Sequence, residues 1–297
     1  MWLVCAILTA LGWGIADIFY KRAAVEKEKF SHLKVCIFVG IVMGIHAIIT
    51  LLVTKVDYNF INIIYYFPVS FCYFFSMFLV FYGLKYIEDS ICSPIENSSG
   101  SVTAIFVFLF LGQRMSFIAF IAVLLITIGV LSLGLFEKHS HSKNKKYRLI
   151  GIGMAICYSI FNAIGGFLDA YYLDYTKSPL VGINSKNIEI VANSSYEFTF
   201  LIIAILFMIF LYFKRERKVE RKRDKVLASI FETFGQQMYV FGMSGNAIIA
   251  APIVSSVCIV SVILARIFLH ERLTLKQYIP ILLVISGIMI LAFVEGA

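Results

Sequence analysis

The sequence predicts an all-α integral membrane protein whose ten transmembrane helices form two inverted five-helix repeats. Three observations support this prediction. The composition is too apolar for a soluble chain of 297 residues, ten segments have the length and apolarity of a membrane span, and two distant stretches share one pattern. The residues between the segments are too few to form a separate soluble domain.

Composition indicates that lipid is the main solvent. Hydrophobic residues make up 60% of the chain and charged residues 15%, with a mean hydropathy of +0.88. Soluble domains average about 45–50% apolar and about 25% charged residues. A soluble fold of this length could not bury so much apolar surface, so most of that surface must face lipid.

Ten segments are long enough to cross the hydrocarbon core, for which about 20 mostly apolar residues suffice. In the segment that starts near 187, the residues up to Thr199 are polar and those from Phe200 are apolar. We therefore expect this helix to be broken or to line a wet cavity. The predicted spans are 1–20, 33–53, 62–84, 91–111, 115–135, 149–173, 187–213, 226–244, 247–269 and 273–294.

The distribution of basic residues predicts the orientation. Of the 26 Lys and Arg residues, 21 fall in one set of alternate loops, eight of them in the run KRERKVERKRDK. Such loops stay in the cytoplasm, so both termini are expected outside the plasma membrane of a bacterium. The basic run is best explained as an anchor to anionic lipid. No nucleic-acid-binding domain accompanies this basic run, so we expect no nucleic-acid partner.

Two stretches of the chain repeat one another. Residues 94–133 and 252–291 align without a gap, and 13 of the 40 positions are identical. The identical positions include a proline, an arginine and a glycine, at Pro94/Pro252, Arg114/Arg272 and Gly129/Gly287. The chain then divides into a first repeat (1–136), a cytoplasmic linker (137–148) and a second repeat (149–297). Five spans is an odd number, so the second repeat must enter the membrane from the opposite side.

The turns that precede the last helix of each repeat resemble those of the drug/metabolite transporter superfamily. They read GQR at Gly112–Arg114 and HER at His270–Arg272, and LGWG at Leu11–Gly14 resembles the first helix of that superfamily. Residues 81–133 are also similar to the end of a small multidrug resistance protein. The resemblance is to the ten-helix, EamA-type members. It implies a gradient-coupled carrier or an exchanger for a small polar or cationic metabolite, with its site near the midplane between the repeats.

One feature departs from the small multidrug transporters, which carry a membrane glutamate in their first helix. Here the first helix has Ala10 and Trp13 at its middle, and Asp17 only near its cytoplasmic end. The group that neutralises a charged substrate or carries a coupling proton must therefore lie on another helix.

Polar side chains at membrane depth are costly and therefore mark candidate functional positions. Glu197 and Glu232 lie nearest the centres of their spans, and Glu96 follows a proline at which a bend would open a cavity. Asp169 is expected close to the outer interface, and His46 is expected to make an ordinary helix contact. The candidate substrate-binding residues are Trp13, Tyr73, Glu96, Asn97, Asn162, Asn193, Glu197, Glu232, Gln236 and Ser256.

The predicted function is secondary-active transport of a small polar or cationic metabolite by alternating access, with possible proton or ion coupling. A buried carboxylate suits both roles, because burial favours its protonated form. The alternative within this class is export of a neutral or zwitterionic metabolite such as an amino acid, recognised by Asn and Gln side chains. A non-transporting membrane receptor or scaffold is the hypothesis from another class.

No enzymatic activity is expected, because the sequence has no H-E-x-x-H, no G-x-S-x-G and no cluster of Cys and His. For the same reason we expect no metal and no cofactor. The expected partners are a small-molecule substrate and the lipid bilayer, and either a monomer or a homodimer is compatible with the pattern.

Overall fold

The computed structural model describes residues 1–23, 28, 30–83, 97–136, 145–216, 218–268, 276 and 278–295. These residues form helices and connecting turns, and no strand occurs among them. The helices are α1 (Trp2–Ala23), α2 (Ser31–Thr54), α3 (Ile61–Gly83), α4 (Ser99–Phe106, continued by a π-helical turn Val107–Leu111), α5 (Phe117–Phe136), α6 (Lys145–Tyr172), α7 (Ile188–Phe213), α8 (Lys222–Val254), α9 (Val257–Phe268) and α10 (Tyr278–Glu295).

Six of the described helices, α1–α3 and α6–α8, are long and apolar enough to cross a membrane, and α4, α5 and α10 are shorter apolar helices. Large apolar side chains face outwards, as Leu52, Phe213 and Phe293 illustrate. Polar side chains are instead buried inside. This distribution is the one that a lipid solvent favours, since polar groups there must find partners within the protein.

The polar first half of α7 is buried, and the helix is continuous from Ile188 to Phe213. The sequence-based alternative of a broken helix is therefore wrong. The polar stretch from Asn193 to Thr199 packs inside the protein, and the apolar stretch that follows is largely exposed. Neighbouring helices shield the polar half from lipid, so the backbone has no need to break.

α8 contains the junction predicted between the eighth and ninth spans. Its hydrogen bonding runs from Lys222 to Val254, but Asn246 has non-helical angles, with φ −160° and ψ 82°. The predicted division between 244 and 247 coincides with this residue. A second break follows Val254, so the predicted ninth span is divided between the end of α8 and α9.

Four helix pairs form the main interfaces, namely α1 with α8, α2 with α7, α3 with α6, and α5 with α10. α2 and α7 are antiparallel. Gly40 on α2 lies against Phe200 and Ala204 of α7, whereas His46, further along α2, reaches back to Glu197. A β-carbon at Gly40 would come within 2.6 Å of Ala204, so the two helices cross at close range.

The α5–α10 interface repeats one contact on both sides. Gly129 and Gly287, identical in the internal alignment, each lie against two residues of the facing helix. The facing residues are Pro280 and Val284 for Gly129, and the residues aligned with those two, Ala122 and Ile126, for Gly287. These contacts run antiparallel. The same contact therefore occurs twice, once from each helix to the aligned residues of the other. Such an interface is two-fold symmetric.

A second contact follows the same relation. Gly14 on α1 lies against Val260 and Ser261 of α9, and Gly166 on α6 lies against Thr103 of α4. Thr103 and Ser261 are aligned in the internal repeat. The pairing of α1 with α9 therefore corresponds to the pairing of α6 with α4.

At one end of the molecule, here called the basic end, α1 finishes and α8 begins. Glu28 is buried there between Lys34 and Lys225, and the side chains of all three are at most 3% exposed. The Nζ of Lys225 lies 2.8 Å and the Nζ of Lys34 3.3 Å from the Glu28 carboxylate. The Glu220 amide donates to the same carboxylate, and the Lys225 ammonium donates to the Glu220 and Ala23 carbonyls.

This cluster sets the ionisation of Glu28. Burial by itself raises the pKa of the carboxyl, but the hydrogen bonds from Lys225, the Glu220 amide and Lys34 outweigh it. The pKa of Glu28 therefore lies below its ordinary value of 4.5.

The opposite end, where α2 finishes and α7 begins, is closed by uncharged groups. Asn62 is fully buried and makes two hydrogen bonds to the Val181 backbone, accepting at 2.8 Å and donating at 3.0 Å. The hydroxyls of Tyr58 and Ser195 lie 2.8 Å apart. Burial raises the pKa of Tyr58 to about 12, although the Ser195 contact opposes it, so this phenol stays neutral.

Candidate functional site

Four aromatic residues from four helices meet inside the protein and are called here the aromatic cluster: Trp13 (α1), Tyr73 (α3), Tyr196 (α7) and Tyr239 (α8). Ring centroids lie 5.3 Å apart for Trp13 and Tyr239, and 5.9 Å apart for Tyr73 and Tyr196. The hydroxyls of Tyr73 and Tyr239 lie 2.6 Å apart. The three tyrosines are buried and Trp13 is half-buried, so the cluster is enclosed by the helices that carry it.

Two glycines allow the rings to approach their neighbours. A β-carbon at Gly235 would come within 2.7 Å of the Trp13 Nε1, so only glycine lets the indole lie against α8. The indole then donates to the Glu232 carbonyl at 3.2 Å. On the other side, a β-carbon at Gly165 would meet the Tyr73 ring at 3.2 Å. Helix α6 thus supports Tyr73 much as α8 supports Trp13.

Asp169 supplies a buried carboxylate beside this cluster. It lies one turn from the end of α6 yet is fully buried, whereas the sequence suggested a position close to the outer interface. The reason is that this face of α6 packs on α3, where Tyr66 donates its hydroxyl to Oδ1. Tyr66, Ser70 and Tyr73 share one face of α3, because they are four and three residues apart.

A second carboxylate lies on the side of the cluster towards the basic end. Glu232 accepts a hydrogen bond from the Tyr20 hydroxyl at 3.3 Å, and it lies within electrostatic range of Asp17. Asp17 accepts from the Ser261 hydroxyl at 2.6 Å. Two carboxylates and a phenol therefore meet where α1 packs on α8 and α9.

The third carboxylate, Glu197, is already paired. The Nδ1 of His46 lies 2.8 and 2.9 Å from its two oxygens, and the Asn193 amide donates to Oε1 at 2.9 Å. Asn193 also donates to Gln237 on α8 at 2.7 Å. Glu197 is therefore held in a network between α2, α7 and α8, away from the centre of the aromatic cluster.

Five buried polar atoms have no hydrogen-bond partner among the described residues. They belong to α3, α6, α7 and α8, the helices that surround the cluster, and they are Ser70 Oγ, Asp169 Oδ2, Asn193 Oδ1, Ser194 Oγ and Gln236 Nε2. Buried polar atoms in proteins are nearly always paired. Unpaired polar atoms on several helices, among them Ser70 Oγ, Asp169 Oδ2 and Gln236 Nε2, are typical of a region that hydrogen-bonds to water or to a polar ligand.

Of the residues proposed from sequence, six lie in or next to this region: Trp13, Tyr73, Asn193, Glu197, Glu232 and Gln236. Asn162 instead donates to Tyr158 one turn away at 2.9 Å, and Ser256 donates to the carbonyl of Ile253 within its own turn at 2.6 Å. Asn97 is half-buried just before α4. Glu96 lies outside the described residues, as does the turn at 270–272.

The sequence-based list of substrate-binding residues leaves out Tyr66, Ser70 and Asp169. A signal for Asp169 was available, because Gly14, Asp17 and Tyr20 on α1 recur with the same spacing as Gly166, Asp169 and Tyr172 on α6. His46 was treated as an ordinary contact, and no spacing within α2 reveals that its partner lies on α7.

Comparison with known proteins gives a family match and a structural match, and both cover almost the whole chain. Residues 1–135 and 149–293 match the EamA-like transporter family. No curated protein matches the chain. A crystal structure described only as that of a protein superposes with a TM-score of 0.74 at 12% identity, covering 99% of this chain and 96% of the other. At that identity the likeness concerns the fold alone. The family match covers nearly the whole chain in two parts, so the chain belongs to the EamA-like transporter family and is a multi-pass membrane transporter of the drug/metabolite type.

Proposed function

We propose that the protein is a secondary-active transporter in which two inverted five-helix repeats, 1–136 and 149–297, move against each other about a shared site. The antiparallel crossings of α2 with α7 and of α5 with α10 support inversion, because these helices correspond under the repeat. The matched glycine contacts support a two-fold relation. The aromatic cluster has rings from both repeats, as expected of a substrate site between them.

We infer that the substrate carries a positive charge, as a small organic amine does. The observation that carries this inference is Asp169, which is fully buried and has one carboxylate oxygen without a partner among the described residues. A buried ionised carboxylate without a compensating charge is strongly unfavourable. A bound cation would supply that charge, and the neighbouring rings would add about 0.5–2 kcal/mol of cation–π attraction.

The amide of Gln236 favours a second candidate, a zwitterionic metabolite such as an amino acid. Its Nε2 is buried without an acceptor among the described residues, one turn from Tyr239. An N–H that lacks an acceptor suits a carboxylate or carbonyl oxygen on the ligand. In this version Asp169 and Gln236 would bind the two ends of one molecule.

A thermal-unfolding screen of the purified protein tests the substrate class. The probes are choline, tetraethylammonium, arginine, glutamine, glucose and uridine, each over a range of concentrations. A ligand at a hundred times its dissociation constant should stabilise the protein by about 2.7 kcal/mol. We expect stabilisation by the amines and none by glucose or uridine. A ligand found in this way is then followed into proteoliposomes by counterflow.

The variant Asp169→Asn tests the charge that both candidates need, since it keeps the shape and removes the charge. We expect it to abolish stabilisation by a cationic probe. Asp174→Asn is the matched control, because that carboxylate lies in an exposed turn bonded to Thr176 and Lys177. Gln236→Leu separates the two candidates. Glutamine binding that is lost in both Asp169→Asn and Gln236→Leu would favour the zwitterionic substrate, whereas a purely cationic probe should still bind Gln236→Leu. Counterflow of none of the probes would contradict transport of this class.

We also propose that both termini lie on the outer side of the cell membrane and that the basic end faces the cytoplasm. The support is the positive charge of the loops that join the spans there. Single cysteines in a cysteine-free variant test it. Lys177→Cys should react with an impermeant reagent added to intact cells, and Arg223→Cys should react only after lysis. The reverse pattern would overturn the orientation.

A further inference from the structure

We propose that His46 and Glu197 form a proton-binding site, separate from the aromatic cluster, through which a proton gradient drives transport. This inference rests on the proposed transport function. The observation behind it is a fully buried carboxylate on α7 whose described hydrogen-bonding partners are one histidine from the opposite repeat and one amide from its own helix.

Charge balance explains why the pair holds a proton. Glu197 is 0% exposed, and an isolated carboxylate at such a position is strongly unfavourable. The pair is neutral as a whole when it carries one proton, either on the Glu197 carboxyl or as the second proton of the His46 ring. Loss of that proton leaves one net negative charge at membrane depth. Release therefore requires either that the site opens to water or that a cation arrives nearby.

His46 is the route by which the proton enters and leaves. Its side chain is 33% exposed on a face of α2 that also presents Ile45 and Ile49 to lipid, whereas Glu197 has no exposure, so the proton needs a polar path along the helix. The Nε2 of His46 faces the hydroxyl of Thr50 at 3.5 Å, and Thr50 is followed one turn later by Thr54, which is exposed at the end of α2. These polar side chains lie on one face of α2 at four-residue spacing. They lead from the pair towards the opposite end of the molecule.

The proton site is connected to the aromatic cluster. Asn193 donates both to Glu197 and to Gln237, and Gln237 is the neighbour of Gln236 on α8. Tyr196 precedes Glu197 on α7, and its ring meets the Tyr73 ring edge to face. A change of charge on Glu197 therefore acts on groups that surround the cluster from α7 and α8.

Other ionisable groups approach this part of α7 from the helices that pack on it, namely α2, α3 and α8. The ionisable group on α2 is His46, and the one on α3 is Tyr73. The ionisable groups on α8 are Glu232 and Tyr239, and both approach Tyr196 rather than Glu197. Glu189 lies at the first turn of α7, two turns from Glu197. Among the described residues, His46 is thus the ionisable partner that hydrogen-bonds to Glu197.

Infrared difference spectroscopy of the protein in lipid films, with cycles of acidic and alkaline buffer, tests the site without a substrate. We expect wild-type protein to show carboxyl and imidazole bands that titrate together. Glu197→Gln and His46→Gln should each change the midpoint by about tenfold in proton concentration, and the double variant should lose both bands. Glu189→Gln is the matched control on the same helix and should titrate as wild type does.

A double variant that titrates as wild type does would overturn the proton site. If Glu197→Gln does not fold, His46→Gln alone decides by the same midpoint, because it leaves the carboxyl in place. The inference also predicts that proteoliposomes containing Glu197→Gln exchange the substrate found in the screen but no longer accumulate it under a pH gradient. Titrating bands without any solute movement would contradict the transport function and leave the proton site standing. Gradient-driven accumulation that persists in Glu197→Gln would contradict the proton site alone.

Discussion

The two ends of the molecule join the same two halves of the chain by different chemistry. At the basic end, Glu28 from the α1–α2 connection binds Lys225 of α8 in a buried ion cluster. At the opposite end, Asn62 of α3 binds the backbone of Val181 between α6 and α7, and Tyr58 meets Ser195. The first closure is charged and the second is neutral, although both join the first half of the chain to the second.

The difference shows that a symmetric scaffold does not require symmetric closures. Separating a neutral hydrogen bond in the presence of water costs about 0.5–1.5 kcal/mol, because water replaces the lost partner. Removing one member of a buried ion pair costs about 3–5 kcal/mol, because the other charge stays buried. We therefore expect a substitution in the ion cluster to destabilise the protein more than a substitution at Asn62, and the predictions test that ranking.

The largest effect is expected at Glu28. Glu28→Ala removes the carboxylate and leaves Lys34 and Lys225 without their shared counter-charge, so the free energy of unfolding should fall by about 3–5 kcal/mol. Unfolding in detergent micelles measures it. The control is Lys177→Ala, which breaks an exposed pair with Asp174 and should change little. Equal stability of Glu28→Ala and wild type would show that the ion cluster does not hold the basic end.

A smaller effect is expected at Asn62. Asn62→Leu keeps an approximately equal volume but leaves the Val181 amide and carbonyl without their partners, which should lower the free energy of unfolding by about 1–3 kcal/mol. The same micelle experiment measures it, with Lys186→Ala in the exposed connection that follows Val181 as the control. A loss as large as that of Glu28→Ala would cancel the ranking of the two ends.

The smallest effect is the dependence of the two closures on pH. The pKa of Glu28 is lower in the folded protein than its ordinary 4.5. Its contribution to stability is therefore complete above that ordinary value and is lost as the pH falls through the lower folded value. Unfolding measured from neutral to acidic pH should show this loss in wild type and in Asn62→Leu, but not in Glu28→Gln. A wild-type curve that Glu28→Gln reproduces would contradict the assignment.

Much of the fold was predictable, because the fold follows from local patterns. The predicted span from 33 to 53 and the described helix Ser31–Thr54 agree to within a turn at each end. A long apolar run in lipid forms a helix, because its backbone groups must hydrogen-bond within the segment. The division at Asn246 was also predicted, because this residue lies between two apolar runs of the sequence. The continuity of α7 was not predicted, because its polar half is stabilised by contacts with residues of α2 and α8 that lie far away in the sequence.

The candidate site was less predictable than the fold. Glu232 and Gln236 were recognised, because a polar side chain at membrane depth is visible in the local sequence. Asp169 was assigned to the interface from its distance to the helix end, but burial depends on which face α3 covers. Pairing between His46 and Glu197 joins residues 151 positions apart, and no local spacing contains that information.

The ion cluster at the basic end also has a consequence for how the chain is made. Glu28 and Lys225 are separated by 197 positions, so Glu28 is synthesised long before the residue that neutralises it. Chains emerge at roughly 5–20 residues per second, which leaves an interval of about ten seconds or more. During that interval Glu28 lacks the Lys225 ammonium group that lies 2.8 Å from it in the folded protein. The first half of the protein therefore reaches its final form only when the second half arrives.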